Sequence, residues 1–109
     1  MRTRLFPALA LSAVLAAGIA SATDTSSLGG FLATCSADVK GCKGFAHDLI
    51  ISARNANYGC IPKELSTDAA AERELAWLRH EANGNPKYQG MSLEDVMWAG
   101  VDELWPCSK

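Results

Sequence analysis

From about residue 26 onward the apolar residues recur three and four positions apart, and no segment shows the period-two alternation of a strand. The pattern predicts an all-α chain of about four helices. A first helix starts at Ser26 or Ser27 and ends at Cys35, turning Leu28, Phe31 and Leu32 inward, with Gly29-Gly30 weakening it. A second, over residues 42–57, places Phe45, Ala46, Leu49, Ile50, Ala53 and Ala56 on one broad face. Tyr58-Gly59 ends it, glycine suiting the left-handed position past a helix terminus, and Cys60-Ile61-Pro62 follows as an extended connector. Ser66 or Thr67 caps a third helix with Asp68 in its first turn, and Ala71, Leu75, Leu78 and Ala82 form its apolar stripe. Glu72, Arg73, Arg79 and Glu81 fall on its other faces and read as solvated surface. Asn83-Gly84-Asn85-Pro86 is a stop and turn signal, and the polar connector runs on through Lys87, Tyr88, Gln89 and Gly90. Ser92 opens a fourth helix with Asp95 three residues on and a Met91/Val96 staple. Its inner stripe is Leu93, Val96, Met97, Gly100, Val101 and Leu104, and Trp105-Pro106 ends it.

The segment before these helices changes the compartment. Arg2 and Arg4, an apolar run from Leu5 to Ile19, and Ala20-Ser21-Ala22 have the layout of a cleaved secretory signal over residues 1–22. Residues 23–109 then form a single exported domain, periplasmic and without a stable membrane anchor. Loss of the two arginines leaves 8 Lys+Arg against 12 Asp+Glu, moving the formal charge from −2 to −4. That balance argues against nucleic acid as a partner and suits a basic protein surface better.

A domain this small buries little apolar area, and exported ones commonly compensate with disulfides. Four cysteines permit three pairings. Cys35 with Cys42 and Cys60 with Cys107 is the favoured set: the first spans a helix end, a turn and a helix start, and the second ties a mid-chain connector to the chain end. A zinc site using cysteine with His47 or His80 is the competing reading, but the spacings do not resemble paired Cys-x-x-Cys.

Candidate chemistry is sparse. Glu94-Asp95 and Asp102-Glu103 are adjacent pairs, which do not face each other on a helix and have no nucleophile or metal partner nearby, so they read as an acidic face. His47 and His80 are isolated on separate helices and read as structural or surface residues. Trp77 and Trp98 sit beside their apolar stripes rather than on them, a placement that can mark a partner surface. In the long polar connector, Tyr88 offers a rigid amphipathic anchor, Lys87 and Gln89 offer hydrogen-bond donors, and Asn83, Gly84, Asn85, Pro86 and Gly90 offer a turn framework. An ordinary helix connection is the plain alternative.

The order of these features resembles the Rap1a/Tai family of exported bacterial immunity proteins. The residues that carry the likeness are Cys35, Cys42-Lys43-Gly44-Phe45, Cys60-Ile61-Pro62, Trp77-Leu78 and Trp105-Pro106-Cys107, covering the chain from about Gly29 to Cys107. Three positions depart from the family pattern. Thr34 stands where an aromatic is common, five residues separate His80 from Pro86, and Gly100-Val101 replaces the usual Ala-Leu. The resemblance implies a helical periplasmic protein, often a homodimer. It would bind a cell-wall amidase delivered by a type VI secretion system. The loop implied to enter that enzyme's cleft is here Asn83, Gly84, Asn85, Pro86, Lys87, Tyr88, Gln89 and Gly90. Separately, the residues show no recognisable catalytic constellation, so an enzyme is the weakest reading and no catalytic residue, metal or cofactor is expected. The alternative within the family is a domain of the same kind whose partner is unknown, since family membership is a weaker claim than immunity function. A third reading, from another class, is an acid-activated periplasmic chaperone, in which protonated carboxylates leave the chain net positive and loosen its packing. The second disulfide and the lack of a Lys-rich tail weigh against it.

Overall fold

The computed structural model describes residues 27–108, so the expected signal segment lies outside the described residues. The described chain is all-α: α1 Leu28–Cys35, α2 Val39–Asn55, α3 Thr67–Trp77 and α4 Leu93–Leu104. A π-helical turn, Leu78–Ala82, continues α3, and a short 3-10 turn, Pro86–Tyr88, interrupts the connector to α4.

Side-chain caps explain where the helices start. The oxygens of Ser27, Asp38, Ser66 and Ser92 accept hydrogen bonds from the backbone N–H groups of Gly30, Gly41, Ala69 and Asp95, filling donors that have no intrahelical partner. Asp38 moves the start of α2 a turn ahead of its expected place, so Cys42 lies inside the helix. At the other end, Asn57 takes the left-handed conformation at φ 55° and the N–H of Tyr58 donates to the carbonyl of Ala53. The stop expected at Gly59 is thus made two residues earlier. Gly59 serves a different purpose, since a Cβ there would lie 2.7 Å from the Val101 side chain. Its absence lets the connector pass close to α4, where the N–H of Cys60 donates to the carbonyl of Trp105 at 2.9 Å.

The core is built from Phe31 of α1, Ala46, Ile50 and Ala53 of α2, Ala71, Leu75 and Leu78 of α3 and its continuation, and Leu93, Val96, Met97 and Val101 of α4. These are the expected stripes with two corrections. Phe45 is 36 % exposed, its ring tilted against Phe31 at 5.4 Å, and Ala56 is also exposed, because α2 turns these positions toward the rim. Both expected disulfides are present, Cys35–Cys42 and Cys60–Cys107. With all four cysteines oxidised, no thiolate remains for zinc. The connector between α2 and α3 is fastened from within. The guanidinium of Arg54 donates to the carbonyls of Pro62 and Leu65 and to the Thr67 hydroxyl, a fork that only arginine supplies.

Candidate functional site

The connector of residues 83–90 is a run of fixed turns. The N–H of Asn83 donates to the Leu78 carbonyl at 3.0 Å, closing the π-helical turn, and that of Asn85 donates to the Ala82 carbonyl at 3.0 Å. Asn85 Oδ1 then accepts from the N–H of Lys87 at 2.9 Å, while Pro86 pre-sets the backbone of the 3-10 turn. Tyr88, Gln89 and Met91 donate in turn to the carbonyls of Asn85, Pro86 and Tyr88. A loop held this way has little ordering entropy left to lose on binding.

Tyr88 is only 8 % exposed, and its ring stands edge-on to Trp77 at 5.4 Å. The sequence reading of Tyr88 as an outward anchor is therefore corrected: the phenol clamps the loop to the end of α3. Trp77, read as a surface marker, is likewise buried as the other half of that clamp. Asn83, Gly84, Pro86, Lys87, Gln89 and Gly90 remain exposed. Lys87 Nζ lies 5.6 Å from the Tyr88 ring centre and 3.9 Å from Glu103 Oε2, so the one cation of the loop leans back toward α4. Between the loop and the start of α1 lies a cleft of about 250 Å³, lined by Ser27, Leu28, Asn83, Asn85, Gln89 and Met91 among others.

Behind the Trp77–Tyr88 clamp sits a residue that the sequence reading passed over. Glu74 is completely buried, and neither carboxyl oxygen has a hydrogen-bond partner. Burial alone pushes its carboxyl up to about 8, so the group is protonated at neutral pH. Gly100 of α4 makes the space: a Cβ there would lie 2.7 Å from Glu74 Oε2 and 2.8 Å from the Trp77 ring. The spacing held the clue, since Glu74 falls three residues after Ala71 and four before Leu78, on the buried stripe.

The remaining candidates stay apart. Lys43 and Glu72 pair at 2.9 Å across α2 and α3 on the surface, and each holds the other's charge, raising the lysine and lowering the carboxyl. His47 approaches Asp68 at 3.5 Å, and His80 is exposed on the π-helical turn. Glu94, Asp95, Asp102 and Glu103 are all exposed, with Asp102 accepting from the Tyr58 hydroxyl at 2.8 Å and holding that phenol protonated. Trp98 is half-buried, edge-on to Tyr58 at 4.8 Å.

The chain matches no family model, no curated protein and no solved structure.

Proposed function

We propose that the exported domain is an immunity-type inhibitor: it binds a peptidoglycan amidase effector of a type VI secretion system and occludes its active site with the loop of residues 83–90. The observation that carries this reading is the loop's internal bonding. Fixed backbone turns, the Asn85 side-chain cap and the buried Tyr88–Trp77 clamp leave Lys87 and Gln89 displayed on a preformed scaffold. Occlusion needs a protruding segment that does not collapse when seated, and such order lowers the cost of binding. The spaced cysteines and the Cys60-Ile61-Pro62 and Trp105-Pro106-Cys107 motifs support the family assignment on which the enzyme class rests.

Buried Glu74 weighs against the chaperone alternative. Acid favours the protonated form that the core already holds, so this group stabilises the fold as pH falls rather than opening it.

The test is affinity capture by the oxidised domain from the source bacterium's own exported proteins, at neutral and at strongly acidic pH. Retention at neutral pH of one stoichiometric cell-wall hydrolase, lost in the Lys87→Glu/Gln89→Ala variant, supports the reading. Many unrelated proteins held only in acid would replace it with the chaperone.

A further inference from the structure

We propose that the trough between α2 and α4 is a docking site for a cationic amphipathic helix of a protein partner, separate from the loop of residues 83–90. The trough exists because the bundle is incomplete. Helix α1 packs against both α2 and α4, yet it has 8 residues where α2 has 17 and α4 has 12. Alongside α1, α2 and α4 make little direct contact with each other, and a groove of about 390 Å³ remains. Its walls follow helical spacing, Phe45, Asp48, Leu49 and Ser52 on α2 facing Leu93, Glu94, Met97 and Trp98 on α4. At the α-helical rise the α2 wall, Phe45 to Ser52, is about two turns or roughly 10 Å, and the α4 wall, Leu93 to Trp98, about one and a half turns or roughly 7.5 Å, room for a helix seated through anchors one to two turns apart.

The interior is apolar and ordered. Leu93 and Met97 are buried at its base, and Phe45 and Trp98 form opposing sides. Trp98 is held edge-on by Tyr58, itself bonded to Asp102, so the indole is a fixed anchor of the kind that dominates binding energy. Charge then selects the occupant. Asp48 stands on one wall and Glu94 on the other, both exposed and neither in an ion pair among the described residues. Helix α4 carries Glu94, Asp95, Asp102 and Glu103 and no lysine or arginine. An anionic segment would meet repulsion from both rims, whereas lysines or arginines flanking apolar anchors would meet a carboxylate on either side.

The test uses the full oxidised domain, isotope-labelled for NMR, with three designed helical peptides: leucine anchors flanked by lysine, the same anchors flanked by glutamate, and the lysine peptide with serine in place of leucine. The lysine–leucine peptide is expected to shift the Trp98 indole and the amides of Phe45, Leu49 and Glu94, at least tenfold tighter than either control. Asp48→Lys/Glu94→Lys, both on exposed positions, should lower that affinity at least tenfold and admit the glutamate peptide. Glu64→Lys/Glu81→Lys, the same charge change away from the trough, should leave it within twofold. Equal losses in the two double variants would reduce the effect to bulk charge and overturn the proposal. So would shifts confined to other surfaces, no binding by any peptide, or a trough covered by a second copy of the domain.

Discussion

Glu74 of α3 and Gly100 of α4 are a complementary pair: the carboxyl of one occupies the volume that a side chain on the other would fill. A methyl group at position 100 would meet Glu74 Oε2 at 2.7 Å and the Trp77 ring at 2.8 and 2.9 Å. The ring cannot retreat, because Tyr88 is packed on it. Gly100→Ala should therefore cost about 1–3 kcal/mol despite its better helix propensity, read by urea denaturation. Glu74→Ala in the same chain should recover part of the loss, a non-additivity expected of residues that share one space.

The same carboxyl sets the pH dependence. Its value is about 8 in the fold against 4.5 for the ordinary side chain. Below 4.5 both folded and unfolded chains hold the proton and the contribution is fully present. Between 4.5 and 8 only the unfolded chain releases it, so stability falls with rising pH at a slope approaching about 1.4 kcal/mol per pH unit, then levels off. Denaturation midpoints should rise from pH 8 to pH 5. Glu74→Gln should flatten the curve and make the protein more stable than the parent at pH 8.

The two disulfides should differ in worth. Cys60–Cys107 closes a loop of sequence separation 47 and Cys35–Cys42 one of 7. In the chain-entropy treatment these correspond to about 4 and about 2.5 kcal/mol. The Cys60→Ala/Cys107→Ala variant should therefore lose more stability in thermal melts than Cys35→Ala/Cys42→Ala.

Within the loop, the residue that holds the fold differs from the residues proposed to meet a partner. Tyr88→Ala removes the buried ring from Trp77 and should destabilise by about 3 kcal/mol while speeding amide exchange over residues 83–90. Lys87→Glu changes an exposed side chain and should leave stability within about 0.5 kcal/mol, so any loss of binding in that variant is a contact effect.

Much of this architecture was legible in the chain. Caps at Ser66 and Ser92, the Ala71-Leu75-Leu78-Ala82 stripe and the cysteine pairing follow from local chemistry and spacing, and each is found in the structure. What was not legible depends on neighbours distant in sequence. Tyr88 sits in a polar connector, and its burial is decided by Trp77 eleven positions earlier. Glu74 lies on a buried stripe by spacing, but an acid there is admitted only because Gly100, on another helix, leaves room. The trough beside α1 arises from unequal helix lengths, a property of the packed bundle rather than of any one segment.

The most direct measurement titrates the oxidised domain into a peptidoglycan amidase effector, the enzyme class proposed as its target, and follows release of peptidoglycan fragments. Inhibition should saturate at one domain per enzyme and weaken at least tenfold in Lys87→Glu/Gln89→Ala, with that variant's melting temperature unchanged. Undiminished hydrolysis in the presence of excess folded domain would contradict the account.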